Sequence, residues 1–264
     1  MPSVSVIVAA FNSEDTIADT LRSLQEQSVS DWEAFVVDDE STDSTVEVVK
    51  TFSHDSRIRL IRLDKNGGSG RARNIAVAQA SSDLLMIVDA DDICMPDRMQ
   101  KQLDYMLGHP EVDVLGGQVA EFGDWGGPVP GTWPVTDAAI SDRIRREKMP
   151  IAHCAMIIRR SAFVEAGGYD EECLRAQDFA LLRKLRSKKF AAVSDILVYY
   201  RTIRPIPFMY AIHSGRYGRL ARIRTRDLRP NLNAKVATFP ASAPTDIRSA
   251  VTWARRRLTE RSNG

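Results

Sequence analysis

Short apolar runs separated by helix-like stretches constrain the first 120 residues more than any other feature. Val4-Ser-Val-Ile-Val-Ala-Ala10 is β-branched and apolar almost throughout, the pattern of a strand buried on both faces. A helical face of Ile17, Leu21 and Leu24 follows, with Asn12 or Ser13 placed to cap it. The alternation continues with a strand at 34–37, a helix at 45–52, a strand at 58–63, a helix at 70–80 and a strand at 84–88. Pro96 suits the first turn of another helix, closed by Gly108. Such alternation calls for an α/β fold, a mostly parallel sheet with helices on both faces. Ligands of these sheets bind outside the carboxyl ends of the strands. Asp38-Asp39 and the group Asp89, Asp91 and Asp92 fall at two of those ends.

After residues 112–119 the pattern loosens. Residues 121–137, rich in Gly, Pro and Trp, read as a loop. A helix at 138–147, a strand at 155–158, a helix at 178–187 and a strand at 190–199 are expected next. From Arg201 prolines and arginines dominate until 246–258, where Ile247, Val251, Ala254 and Leu258 share one helical face. Charge divides the chain at the same place. Residues 1–200 carry 22 Lys and Arg against 32 Asp and Glu, and residues 201–264 carry 14 against 3. A catalytic domain over 1–200 and a basic C-terminal helical extension over 201–264 are therefore expected.

The extension predicts an anionic partner: nucleic acid, anionic lipid headgroups or a pyrophosphate-linked acceptor. Nucleic acid is not expected, because Trp253 is the only aromatic residue among the arginines of 248–261. No run approaches the roughly 18 apolar residues that cross a bilayer. The chain enters its first strand with no basic leader, and Cys94, Cys154 and Cys173 form no CxxC pair. A cytoplasmic protein with buried, reduced thiols is expected, with possible peripheral contact at the inner face of the membrane.

Three motifs carry chemistry. In Val88-Asp-Ala-Asp-Asp92, Asp89 and Asp91 follow an apolar strand and can approach one hard cation together. Mg²⁺ and Mn²⁺ commonly join one or two carboxylates to substrate phosphates, and such an ion offsets charge on a departing diphosphate. A solvated acidic turn is the bland reading of the same residues. In Phe35-Val-Val-Asp-Asp-Glu-Ser-Thr-Asp43, Asp38 or Asp39 can accept from a base edge or a ribose. Capping of the next helix falls to Asp43, and ligand contact to Asp39. Asn66-Gly-Gly-Ser-Gly-Arg-Ala-Arg-Asn74 is a Gly-rich turn opening a helix, which can cradle phosphate. Arg73 stands where a dinucleotide fingerprint needs its third glycine, and no GxxxxGK[ST] loop is present. Arg71 or Arg73 can touch a diphosphate, and a salt bridge to the acidic cluster is the alternative.

Together these motifs, with Val4-Ser-Val-Ile-Val-Ala-Ala-Phe-Asn12, Gly167-Gly-Tyr-Asp-Glu171 and Gln177-Asp178, resemble the inverting glycosyltransferases of family 2 over residues 3–200. The resemblance implies a GT-A (Rossmann-like) fold with nucleotide-sugar binding over about 1–110 and the acceptor side over about 111–200. It also implies inverting transfer dependent on Mn²⁺ or Mg²⁺, from a UDP-type donor to an acceptor hydroxyl, with lipid-linked acceptors among those it allows. By this analogy Ala9, Ala10, Phe11, Asn12, Asp39, Arg71, Arg73, Asp89, Ala90 and Asp91 line the donor site. Asp39 meets the base, Asp89 the ribose or metal, and Asp91 the metal. Asp178 is the general base. Glu40, Gln177 and Ala9-Ala-Phe-Asn12 depart from the family's usual Gly, Glu and Pro-Thr-Tyr-Asn, which bears on donor and acceptor choice.

Chemistry supports the base independently. Inverting transfer needs a carboxylate to take the acceptor proton, and a first-turn position keeps Asp178 ionised and oriented. His153, Trp125 and Trp133 are candidates for the acceptor side, with core packing as the alternative for His153 and loop packing for the tryptophans. A hexosyl- or N-acetylhexosaminyltransferase of polysaccharide or glycoconjugate synthesis is the reading these residues favour. A catalytically silent nucleotide-binding or membrane-associated scaffold of the same fold is the rival.

Overall fold

The computed structural model describes residues 1–226 and 243–262. Its strands β1 (Val4–Ala10), β2 (Trp32–Asp38), β3 (Ile58–Arg62) and β4 (Leu84–Asp89) pair in parallel in the order β3-β2-β1-β4. Helices α1 (Ile17–Gln25), α2 (Thr45–Lys50) and α3 (Gly68–Gln79) connect them. The near-continuous apolar runs are explained by burial from both sides. Val4, Val6 and Val8 of β1 face Ile17, Leu21 and Leu24, whereas Ile7 faces Ala72 and Ala76 of α3.

Beyond β4 the sheet becomes mixed. β5 (Ile93–Cys94) and α4 (Arg98–Gly108) precede β6 (Val114–Gly123) and its hairpin partner β7 (Gly126–Pro130), then α5 (Asp137–Arg145). β8 (Ile157–Arg159) runs antiparallel between β4 and β6, and β9 (Phe190–Arg201) runs parallel to β6. Between β8 and β9 lie α6 (Arg160–Glu165) and α7 (Gln177–Lys184). α8 (Phe208–Arg226) and α9 (Ala243–Ser262) close the chain.

Several local expectations shift. β7 lies inside the stretch read as a loop, and α6 and α8 lie where no helix was expected. α1 begins after Thr16, and the Ser13 carbonyl accepts the amides of Thr16 and Ile17, so neither the Asn12 nor the Ser13 side chain caps it. Asp43 does hold the start of α2, accepting from the Thr45 amide at 3.0 Å and the Thr45 hydroxyl at 2.6 Å.

Candidate active site

The registers bring the acidic motifs together, because Ala10 pairs with Asp38 on one side of β1 and Ala9 pairs with Asp89 on the other. Asp38 is fully buried. Its Oδ2 accepts from the Ser41 amide and its Oδ1 has no partner among the described residues. Asp39, also buried, accepts from the amides of Gly67 at 2.9 Å and Gly68 at 2.7 Å, one at each oxygen. Those two amides of the Gly-rich turn thus meet a carboxylate of the protein itself. The Asn12 backbone is left-handed, with φ 47°. Its amide donates to Ser41 Oγ and its Oδ1 accepts from the Thr42 amide, so the exits of β1 and β2 are fastened together. Phe11, half exposed, stands beside them. The Ala90 carbonyl accepts from Thr16 Oγ1. Arg71 turns back onto its own loop, donating to the Lys65 carbonyl.

The other half of the Gly-Arg-Ala-Arg-Asn motif has separate tasks. Gly70 packs so closely on Tyr169 that an added Cβ would lie 3.3 Å from its side chain. Asn74 clamps the backbone of Tyr169 from both sides, donating to its carbonyl and accepting from its amide. Arg73 is buried over the Tyr169 ring, and its Nη2 donates to Asp89 Oδ1 at 2.5 Å. Its Nε and Nη1 are buried with no partner among the described residues. Burial works to raise the pKa of Asp89, but the Arg73 guanidinium outweighs it and holds the carboxyl below its ordinary value. Asp91 reaches solvent yet is crowded by protein. That desolvation, joined by the charge of Asp89, pushes its pKa up to about 6. Asp92 is buried, accepts from the Arg201 amide, and is pushed well up by burial and by its two acidic neighbours. Asp89 and Asp91 are two like-charged oxygen donors at the end of β4, the donor chemistry of Mg²⁺ and Mn²⁺ ions that take further ligands from phosphate and water; no group of three such side chains occurs among the described residues.

Arg73 and Asp89 open into a cleft of about 720 Å³ that Asp178, His153 and Trp133 also line. Asp178 is the second residue of α7, which starts from Ala176 held at φ 55°. A left-handed alanine is an uncommon conformation of the kind concentrated at functional sites. Gln177 Nε2 donates to Ser69 Oγ at 2.7 Å, tying α7 to the start of α3. His153 is buried against Tyr169, with its Nε2 2.7 Å from the Tyr169 hydroxyl. Burial and the Arg73 charge drop its pKa to about 4, so it is a neutral ring. Trp125 is elsewhere, donating to the Thr202 carbonyl under the Arg204 guanidinium.

The model for the family described as "Glycosyl transferase family 2" matches residues 5–167. The chain belongs to glycosyl transferase family 2. Relatives include the amylovoran biosynthesis glycosyltransferase AmsE of Erwinia amylovora, 29% identical over 75% of this chain and 75% of AmsE. Another is the UDP-Glc:alpha-D-GlcNAc-diphosphoundecaprenol beta-1,3-glucosyltransferase WfgD of Escherichia coli, 38% identical over 39% of this chain and 41% of WfgD. The matched stretches span 58% and 60% of two further curated relatives. Among solved structures, the mannosyltransferase PcManGT of Pyrobaculum calidifontis, in complex with GDP-Man and Mn²⁺, superposes with a TM-score of 0.66. It is 18% identical, with 98% of this chain and 75% of that chain covered. The fold is that of the GT-A enzymes.

In this family 2 chain the outer wall of the cleft is built by residues the sequence did not single out. Arg143 lies in the last turn of α5 and Lys148 follows that helix, Arg175 precedes α7, and Tyr210, Ser214, Gly218 and Arg222 come from α8. α8 packs Leu220 and Ala221 on Phe179 and Ala180 of α7. Arg183 Nε donates to Thr225 Oγ1, and Arg224 forms a two-point pair with Asp170. These cations are scattered over 80 positions, so no motif announces them.

Proposed function

We propose that the chain transfers a sugar, with inversion, from a nucleoside diphosphate sugar of the UDP type to an acceptor hydroxyl in polysaccharide or glycoconjugate synthesis. One observation carries this reading: a single cleft holds a strand-end carboxylate paired to a buried arginine and, across from them, a carboxylate at a helix start. The names of AmsE and WfgD point the same way.

In this mechanism Asp178 takes the proton of the acceptor hydroxyl as that oxygen bonds to the anomeric carbon. The bond from that carbon to the diphosphate oxygen breaks, and its electrons leave with the nucleotide. Arg73 has two buried N–H groups left to donate toward the departing charge, a preorganised donor of the kind that stabilises such leaving groups. Asp38 Oδ1 and Asp39 face the base side, with Phe11 free to stack on a ring. Asp89 and Asp91 would hold Mn²⁺ or Mg²⁺, which when bound neutralises the diphosphate. The neutral His153 ring orients Tyr169 beneath Arg73 and does not accept the acceptor's proton. Asp178→Asn should keep nucleotide affinity and lose about 10² to 10⁴-fold in turnover, read as UDP release from a panel of nucleotide sugars. Wild-type turnover in that variant would remove Asp178 from the mechanism.

α9 supports a membrane-facing role for the C-terminal segment. Trp253 turns inward, donating to the Ile206 carbonyl and meeting Phe208 edge to face, and Asp246 forms a two-point pair with Arg216 of α8. Ile247 and Val251 point outward, with Arg248 exposed beside them. The side chains of Leu258 and Arg256 lie outside those described. An outward apolar stripe bordered by arginine suits an anionic bilayer surface. Co-sedimentation with anionic vesicles should weaken with salt and vanish when residues 240–264 are removed. Indifference to such vesicles at low salt would refute it.

A further inference from the structure

The outer wall of the cleft carries more positive charge than the reaction centre uses. Arg143, Lys148 and Arg175 all line it, and among the described residues none forms an ion pair with a carboxylate. Their neighbours Arg183 and Arg222 do, sharing Glu147 at 3.1 and 3.6 Å. Two of the three free cations are held in place by other means. Arg143 lies over the Trp133 ring at 5.0 Å and uses its Nε on the Met149 carbonyl, which leaves both terminal nitrogens of the guanidinium without a partner among the described residues. Arg175 lies over the Tyr210 ring at 5.3 Å. A guanidinium fixed by stacking keeps its planar edge available for a two-point contact with an oxyanion. Facing them, α8 presents Ser214, Gly215 and Gly218, small residues that leave the cleft open.

We propose that this wall is an anion subsite for the acceptor, in which Arg143, Lys148 and Arg175 grip a phosphate group of the acceptor while its hydroxyl reaches Asp178. On the transfer reading the donor diphosphate has its own partners, Arg73 of α3 and the metal that Asp89 and Asp91 at the end of β4 would hold. The three cations come instead from α5, the turn after it and the segment leading into α7, beyond the base. The inference rests on the transfer reading given above, and names the acceptor class for the same cleft.

The test uses the full chain with UDP and Mn²⁺ at saturation, so that the donor side is filled. Inorganic pyrophosphate and geranyl diphosphate are then titrated while tryptophan fluorescence is followed, since Trp133 lies against Arg143. A saturable, salt-sensitive change is expected, weakened by about 10-fold in each of K148Q and R175Q, the size of one lost charge-assisted contact. UDP affinity should stay within about 2-fold of wild type, as these side chains do not serve the nucleotide. Tighter binding of geranyl diphosphate than of pyrophosphate identifies a lipid-linked acceptor, and equal binding identifies a soluble phosphate. Gly218→Leu gives a steric arm. A Cβ there meets only Arg222 Nη1, at 3.8 Å, so the backbone has room for a side chain; with an unchanged circular dichroism spectrum, probe affinity should fall with UDP affinity kept. The proposal is overturned if neither probe binds once UDP is saturating, or if K148Q and R175Q weaken UDP instead of the probe. Asp178→Asn should bind both probes normally, so failure of the base and failure of the anion subsite are read separately.

Discussion

Replacing Asp39 by Asn tests whether the second aspartate of the strand-two motif is a structural clamp as well as part of the donor site. Its two oxygens accept from the Gly67 and Gly68 amides at 2.9 and 2.7 Å, and it is only 2% exposed. Both amides belong to the turn that starts α3, where the helix dipole adds to the attraction. Asparagine keeps one acceptor oxygen but turns an NH₂ toward the other amide, so one charge-assisted bond is lost and a buried donor is stranded. Leaving one partner of a buried hydrogen bond unsatisfied costs about 1–3 kcal/mol, and the lost carboxylate charge puts this case in the upper part of that range, so a loss of about 2–3 kcal/mol is expected. For a chain of this size 1 kcal/mol moves the midpoint by about 2–4 °C, which places the fall in Tm at about 4–12 °C. The assay is thermal unfolding by circular dichroism, with urea unfolding as a second measure. Because α3 also carries Arg73, UDP affinity should decline together with stability. A variant melting within about 1 °C of wild type would refute the clamp.

Other outcomes follow from the same geometry. Asp91→Asn should abolish metal-dependent UDP binding while leaving Tm within about 2 °C, because removing one of two opposed charges relieves repulsion; unchanged metal dependence in calorimetry would refute the ligand role. His153, with its pKa lowered to about 4 in the fold, takes up a proton only on unfolding between about pH 6.5 and 4. Stability should therefore fall by about 3 kcal/mol as pH drops through that window, and His153→Gln should flatten the profile; equal slopes for both proteins would count against it. Trp125→Phe should cost about 1 kcal/mol through its lost bond to Thr202 and leave turnover alone. Trp133→Ala should instead raise the acceptor KM by removing the surface under Arg143, and kinetics that rank the two tryptophans the other way would reverse this assignment.

The strands were legible because burial on both faces leaves few polar residues in them, and β1, β2 and β4 announce themselves as short apolar runs. α8 was not. Its segment contains two glycines, follows Pro205 and Pro207, and spreads its buried residues Ile212, Leu220 and Ala221 too thinly to make a stripe. β7 reads Gly-Gly-Pro-Val-Pro and is exposed throughout, so no side-chain pattern could mark it. Within the cleft, Asp89 and Asp178 were open to nomination because a strand end and a helix start place them there, whereas Arg73, in the middle of α3, stood out only through its Gly-rich motif. The binding of Asp39 to Gly67 and Gly68 spans nearly thirty residues of sequence. A carboxylate that clamps backbone and one that meets a ligand look the same when written as letters.

α7, the helix that presents Asp178, is braced from behind by α8, through Leu220 and Ala221 on Phe179 and Ala180 and through Arg224 on Asp170. The smallest fragment able to hold the base in position therefore extends through Arg226. A protein cut near residue 200, where the charge changes sign, would uncover Phe179 and Cys173, leave Asp170 without its arginine, and lose the wall that Tyr210 and Ser214 supply. A premature stop in α8 would then leave the donor motifs intact and α7 tied through Gln177 and its own leucines in the core but not through α8, so chain length is expected to act as a determinant of activity in its own right.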